Sequence, residues 1–325
     1  MLSDPLSQIL DLLDARCVLT GGMVAKDDWV RQFPRPNALK IMAIVAGDCW
    51  LVMDSLPAPV QLATGDVILV NGKHPLTLAS DLAHAASQTT QGNIQVVTDM
   101  APHRHEGDVT IVGGHVAIDH TRQDLLLDVL PPLVHVATTA PQASVLGWLL
   151  AQLVLESRAP QSGAAATTGL LAQLLFVQSL RATLSVEGPR THGWLRALGD
   201  ERLAPALQMI HADPARNWTL AELARGVAMS RTAFAVRFRQ VAGVAPLTYL
   251  FNWRMRLAER SLRRDDVPVS QVAHEVGYSS ESAFSNAFKR ATGTSPKRFR
   301  DNAAAHGPEQ ILSVEPSASV RNANW

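Results

Sequence analysis

The chain has 325 residues, 47% of them hydrophobic and 18% charged, which suits a globular protein of two domains. It has no uninterrupted apolar run of membrane-spanning length, Asp4, Asp11 and Asp14 stand where a signal peptide carries Lys or Arg, and Cys17 and Cys49 are its only cysteines, so no membrane span, export, disulfide framework or Cys-rich zinc site is expected, and a cytoplasmic location is. The formal net charge of +0 hides an asymmetry: Ala206 to Arg300 holds 15 Lys and Arg against 7 Asp and Glu, a net of +8, while the rest carries −8, as for a basic module that meets a polyanion beside an acidic module with another task.

Short strands are predicted from Asn37 to Ser80. Ala38 to Val45 is apolar with few breaks, Gly47-Asp48 is a turn signal, and Cys49 to Met53 follows. Gly65-Asp66 opens Val67 to Val70, which Asn71-Gly72 closes. Strands at this spacing suggest an antiparallel sandwich or barrel. Ile94 to Thr98 and Val109 to Ile118 add further strands, with His103-Arg104-His105-Glu106-Gly107 as a loop between them. Thr20-Gly21-Gly22 and Gly113-Gly114-His115 read as turns.

Helices follow. Ser144 to Glu156 carries Val145, Leu146, Leu149, Leu150 and Leu153 at helical spacing. Thr168 to Leu184 is apolar on more than one side, which fits either burial within its own domain or a subunit contact. The linker is placed at residues 186–205, around Val186-Glu187-Gly188-Pro189-Arg190. From Asn302 onward no periodicity is visible, and a poorly ordered tail over 302–325 is expected.

Between these lies a repeated unit. Leu220 to Ala224 forms a short helix, Met229-Ser230 a turn and Arg231 to Gln240 a second helix. The same order recurs as Val269 to Ala273, Gly277-Tyr278-Ser279-Ser280 and Glu281 to Arg290. Ser230 and Ser280, Phe234 and Phe284, Phe238 and Phe288, Gly243 and Gly293, and Pro246 and Pro296 are each 50 residues apart. Leu223-Ala224 and Val272-Ala273 are 49 apart, so the second turn is longer by one residue. Thr219 with Glu222 forms a capping box, and Trp218 with Leu223 a hydrophobic staple. Leu220, Leu223 and Ala224 face inward. The serines suit N-caps, the phenylalanines anchor each second helix, and the glycines and prolines suit its end and the start of the next. The exposed faces then hold Arg231, Thr232, Ala235, Val236 and Arg239, and Glu281, Ser282, Ser285, Asn286 and Lys289. Such faces can present side chains to base edges in a major groove. A helix over Pro246 to Arg263 connects the units, with an apolar stripe of Phe251, Met255, Ala258 and Leu262. At about 27 Å it has the scale to set two recognition helices in neighbouring grooves, which recur every ~34 Å. Arg254 and Arg256 on it read as structural or phosphate-facing.

These residues resemble the AraC/XylS family of bacterial transcription regulators. The likeness runs through Trp218 to Ala224, Met229 to Phe234, Arg237 to Arg239, Pro246 to Leu250, Trp253 to Ala258, Val272 to Tyr278, Ser280 to Arg290 and Gly293 to Pro296. It implies a helical DNA-binding domain with base-facing Arg231, Thr232, Ala235, Val236, Glu281, Ser282, Ser285 and Asn286. It also implies promoter DNA and RNA polymerase as partners, usually in activation. Gly65 to His74 and Leu130 to Val136 are similar, more loosely, to the cupin-type sensor domain of one branch. A small-molecule effector in that domain and a homodimer are implied with it.

The expected class is α+β in two domains. Residues 1–185 form a cupin-like β-barrel with accessory helices, for effector binding and dimerisation, and residues 206–301 an all-α domain with two helix-turn-helix units. Seven of the eleven histidines lie between His74 and His135. However, His74 and His103-x-His105-Glu106 miss the spacing of metal-binding cupins, so no metal or other cofactor is expected. No nucleophile elbow, phosphate loop or paired metal-ligand helix is present. An enzyme is thus not expected, and no catalytic residue is assigned. The alternative from another class is a metal-dependent cupin enzyme carrying an accessory DNA-binding domain. A third reading is an architectural DNA binder without a sensor.

Overall fold

An antiparallel sheet of nine strands organises the first half of the protein, and its central strands are nearly continuously buried. The structure is a computed structural model that describes residues 4–36, 38–86, 90–97, 109–119, 122–158, 161–185, 191, 193–264 and 267–305. The described residues divide into two units, one within 15–191 and the other of 4–14 with 193–305.

After the first helix, α1 (Pro5–Leu13), come β1 (Arg16–Phe33), β2 (Leu39–Ala46), β3 (Cys49–Val52), β4 (Val60–Leu62), β5 (Val67–Val70) and β6 (Leu76–Ala79). The short helix α2 (Leu82–Ala85), β7 (Gln91–Val97), β8 (Val109–Ala117), α3 (Asp124–Leu127) and β9 (Leu133–Val136) follow. The strands form one curled sheet in the order β4-β3-β6-β1-β8-β2-β5-β9, with β7 also on β1. Its inner face buries Met23, Trp29, Phe33, Met42, Ile44, Leu51, Ile68, Leu78 and Ile111 as one core. Two long helices complete the unit, α4 (Ala143–Arg158) and α5 (Ala164–Ser185). Gln173 of α5 clamps the start of β1, accepting from the Cys17 amide at 2.8 Å and donating to the Ala15 carbonyl at 3.0 Å.

Two expected turns are strand interior. Thr20-Gly21-Gly22 lies in β1 and Gly113-Gly114-His115 in β8, where Gly21 pairs with Gly113 and Leu19 with Gly114 across a register shift. Gly22 and Gly114 serve close approach. A Cβ on Gly22 would lie 2.7 Å from the Ile111 carbonyl oxygen, and one on Gly114 would lie 2.3 Å from that of Val18. The Gly65-Asp66 turn does form. Buried Asp66 accepts from the Ala63 and Thr138 amides, both at 3.0 Å, and lies 2.8 Å from His135 Nε2.

The second unit is helical: α6 (Gly193–Gly199), α7 (Ala204–Ala212), α8 (Leu220–Gly226), α9 (Arg231–Ala242), α10 (Pro246–Arg264), α11 (Val269–Glu275), α12 (Glu281–Thr292) and α13 (Pro296–Ala305). α6 occupies part of the stretch expected as linker, because Trp194, Leu195 and Ala197 bury one of its faces. Of the expected tail, residues 302–305 belong to α13, and the remainder lies outside the described residues, as does His103 to Glu106.

α1 belongs with this helical unit, although it is the first element of the chain. Asp4 caps it, Pro5 starts it, and Leu6, Ile9, Leu10, Leu12 and Leu13 are buried. Gln8 fastens it to α7. Its amide nitrogen donates to the His211 carbonyl at 3.3 Å, and its oxygen lies 3.0 Å from His211 Nδ1. His211 Nε2 lies 2.7 Å from the Tyr249 hydroxyl, and the ring stacks on Trp253 at 4.2 Å. A neutral imidazole satisfies both contacts, donating from Nδ1 and accepting at Nε2. Burial depresses its pKa to about 3 and raises that of Tyr249. The folded state therefore resists a proton that the unfolded chain takes up below about pH 6.5. Stability is full above that pH and is lost as pH falls toward the folded-state value. Lowering pH from 7.5 to 5 should cost this unit about 2 kcal/mol through His211. Thermal unfolding of the protein and of His211→Phe at both pH values checks this, since the variant should lose less. Equal losses would contradict it.

Candidate nucleic-acid interface

The helical unit contains two copies of one local design. In the first, Thr219 and Glu222 close the capping box: the Glu222 amide donates to the Thr219 hydroxyl oxygen at 3.2 Å, and the Thr219 amide donates to the Glu222 carboxylate at 2.8 Å. Hydrogen bonds from the Thr219 hydroxyl, then its amide, then Arg216 pull the Glu222 carboxyl down to about 2. Trp218 lies beneath the Arg216 guanidinium, 4.0 Å from ring centroid to Cζ, and donates to the Asp213 carbonyl. Leu223 and Ala224 are buried, while Leu220 is half-buried.

Each second helix is built alike. Ser230 caps α9 by accepting from the Ala233 amide, and Ser280 caps α12 by accepting from Ala283, both at 3.2 Å. The helices end at Gly243 and Gly293, whose φ values of 77° and 79° are left-handed. Phe234 with Phe238, and Phe284 with Phe288, are fully buried pairs with centroids 5.6 Å apart. The turns match to the residue. The Met229 amide reaches the Ala224 carbonyl as Tyr278 reaches Ala273, both at 2.9 Å, and Ser279 is the extra residue of the second turn. Where the second turn has Gly277 at φ 82°, the first has Ala228 at φ 52°.

With the phenylalanines inward, Arg231, Thr232, Val236 and Arg239 are exposed on α9, with Ala235 half-buried. On α12, Glu281, Ser282, Asn286 and Lys289 are exposed, with Ser285 half-buried. α10 carries a core on two sides. Met255, Ala258 and Leu262 pack with Val272, Phe284 and Phe288 of the second copy. Tyr249 meets Phe238 of the first at 5.9 Å.

Much of the positive charge is committed to structure. Arg237 grips Asp200 at 2.7 Å, Arg216 holds Glu222 at 2.9 Å, and Arg256 lies 3.4 Å from Glu259. Arg290 lies over Phe251 and Arg263 over Phe299. Arg254 donates to the carbonyls of Pro214, Ala215 and Arg216 at 2.6, 3.1 and 2.9 Å, which makes its role structural. Among the described residues, the cations with no hydrogen-bond, ion-pair or ring partner include Arg225, Arg231, Arg239, Lys289, Lys297 and Arg298. Arg225, Lys297 and Arg298 were not singled out by the repeat, and their only sequence signal is charge.

No cofactor cradle is evident among the described residues of this unit. In the sheet unit, Asp28, Asp81 and His84 bring ligand atoms within 4.8 Å of one another. Asp81 already engages His84 Nδ1 at 2.8 Å and caps α2 through the His84 amide, so the cluster is satisfied as a hydrogen-bonded turn.

Comparison with known proteins agrees with this architecture. A cupin family model matches residues 4–185, and a helix-turn-helix domain model matches residues 223–302. A putative AraC-like transcription regulator of Streptomyces antibioticus is 38% identical over 297 residues, covering 91% of this chain and 98% of that protein. The regulator AlkR of Acinetobacter baylyi is 31% identical over 320 residues, covering 91% and 99%. Among solved structures, the DNA-binding domain of AdpA in complex with a target DNA is 32% identical, with a TM-score of 0.33, and covers 34% of this chain and 99% of that one.

Ala228 offers a check on the duplicated turn. A left-handed backbone costs an L-residue roughly 1–2 kcal/mol, more than the extra chain entropy that glycine brings to the unfolded state. Ala228→Gly should therefore stabilise the protein by about 0.5–1 kcal/mol, measured by denaturant unfolding. A loss of stability would show that the first turn does not share the geometry of the second.

Proposed function

The chain belongs to the AraC-like family of transcription regulators and binds DNA as one, and we propose that it reads promoter sequence through α9 and α12 under control of a small-molecule effector held in the sheet unit. The observation that carries this reading is the doubled capped helix, each copy with buried phenylalanines and a polar exposed face. In this reading Arg231 and Asn286 make paired hydrogen bonds to guanine and adenine edges, the commonest uses of these side chains. Thr232, Ser282 and Ser285 suit either base, Glu281 accepts from cytosine, and Ala235 and Val236 meet thymine methyls. Arg239 and Lys289 hold phosphates. Bound near a promoter, the protein activates transcription by contact with RNA polymerase. Effector binding changes how the sheet unit restrains or pairs the DNA-binding units.

A homodimer is part of this proposal and is supported by α4 and α5. No charged residue occurs from Ala143 to Leu155 or from Ala164 to Leu180. Nevertheless Trp148, Leu155, Leu170 and Leu174 are exposed, Leu170 by 73%. Gly147 and Gly169 each cost their helix about 1 kcal/mol, and a Cβ at either would meet nothing within 4 Å. The close approach of a partner helix would account for both glycines and for the uncovered apolar surface. Sedimentation should show a dimer at micromolar concentration that Trp148→Glu dissociates. A monomeric parent would overturn this part.

Genome-wide occupancy in the native host tests the main reading, with discrete peaks sharing a two-block motif as the expected result. On such a site Asn286→Ala should cost about 1–3 kcal/mol and relax preference at one base position. An equal loss on every DNA sequence would refute a base contact by Asn286.

A further inference from the structure

The inner face of the curled sheet is largely apolar, and among its polar groups Arg31 stands opposite Leu78 while His135, opposite Ile68, is held by buried Asp66. Lys40, Met42 and Ile44 alternate onto that face along β2, and Val109, Ile111, Gly113 and His115 do so along β8. The register is unbroken from Leu39 opposite Val116 to Ile44 opposite Ile111, and Lys40 sits directly opposite His115. Val70 flanks Lys40 on β5, Leu133 follows on β9, and Val18 flanks His115 on β1. One row deeper, Met42 lies opposite Gly113, and Gly113 opposite Gly21, so two neighbouring positions present no side chain to this face. Val70 and Leu133 are buried, whereas Val18 is 43% exposed, which places the row at the rim of the core.

Lys40 and His115 are a costly pair in this position. Both are half-buried, and among the described residues no carboxylate or hydrogen-bond partner meets either of them. Burial lowers the pKa of both groups, and Lys40 lowers that of His115 further. A half-shielded cation beside a second basic group, with no counter-ion, is unfavourable unless an anion joins it. An apolar floor with glycine gaps lies just inside the pair.

We infer that Lys40 and His115 are the polar end of a ligand site at the rim of the sheet, and that its ligand is a monocarboxylate with an apolar body. The carboxylate accepts hydrogen bonds from the Lys40 ammonium and an imidazole N–H of His115. The apolar body lies over Gly21 and Gly113 against Val18, Met42 and Leu133. This rests on the reading that the sheet unit takes a small-molecule effector, and gives that effector a chemical class.

Octanoate, with octanamide and octan-1-ol as uncharged counterparts, tests it on the full chain by calorimetric titration. Octanoate should bind about tenfold to a hundredfold more tightly than either counterpart, the usual worth of a hydrogen bond to a charged group. Lys40→Met should lose that preference, and Lys40→Arg should keep affinity within roughly threefold, since the cation remains. Without ligand, Lys40→Met should melt no lower than the parent, because it removes an unpaired half-buried charge. The inference is overturned if octanoate does not bind at millimolar concentration, if octanamide binds equally well, or if Lys40→Met retains the preference. Specific DNA binding, measured on the same preparation with and without octanoate, separates the two readings. Intact DNA binding beside any of those failures overturns the ligand site alone. DNA binding absent both with and without octanoate overturns the regulator's function, while a Lys40-dependent preference for octanoate would still support the site.

Discussion

Arg254 joins the two halves of the DNA-binding unit. From the middle of α10 its guanidinium collects three successive carbonyls, those of Pro214, Ala215 and Arg216, which lead into the first helix-turn-helix. It also lies 6.0 Å from the Tyr278 ring in the turn of the second. Carbonyls outside the helices need donors, and the planar fork of arginine can serve several at once where lysine offers a point charge. The contact leaves no spare volume. A Cβ on Gly277 would lie 2.2 Å from the Ala215 carbonyl oxygen and 2.8 Å from Arg254. The lead-in of one unit and the turn of the other are thus fixed to the same side chain. α10, 19 residues and about 28 Å long, then acts as a ruler between α9 and α12.

That construction changes what the basic charge means. A net of +8 suggests a broad attraction to a polyanion, but many of these cations are bound within the unit, to Asp200, to Glu222, to backbone carbonyls or to aromatic faces. Among the described residues, the partnerless cations include Arg231, Arg239 and Lys289, which stand on the exposed faces of the two second helices. The helices are also set by neutral means: serine caps, left-handed glycine ends and phenylalanine pairs. Their position does not depend on the charges available to bind.

The helical pair is legible in the sequence because each of its parts is a local signal. The Thr219 capping box, the Ser230 and Ser280 caps and the Gly243 and Gly293 ends act over three or four residues, and a second copy at a fixed offset repeats them. The sheet is legible only where apolar runs are short and bounded, as at Val67 to Val70. β1, 18 residues long, escaped because Gly21 and Gly22 carry a turn signal, whereas Gly21 sits at a register shift with φ 134° and Gly22 serves close approach to β8, which no local pattern reveals. The docking of α1 escaped for the same reason, since Gln8 and His211 are 203 residues apart. Arg254 was legible as structural or phosphate-facing, but not as the link between the two units, and the Lys40–His115 pair required the register of β2 on β8.

α10 and Arg254 hold α9 and α12, the two helices proposed to read DNA, at one fixed separation. The most direct measurement is the affinity of the protein for its two-block site with 5 base pairs inserted between the blocks, about half a helical turn. A rigid ruler predicts that binding falls to the level of a single block, because the second helix then faces the wrong side of the duplex. Affinity unchanged by the insertion would contradict it and would mean that the two units read DNA independently.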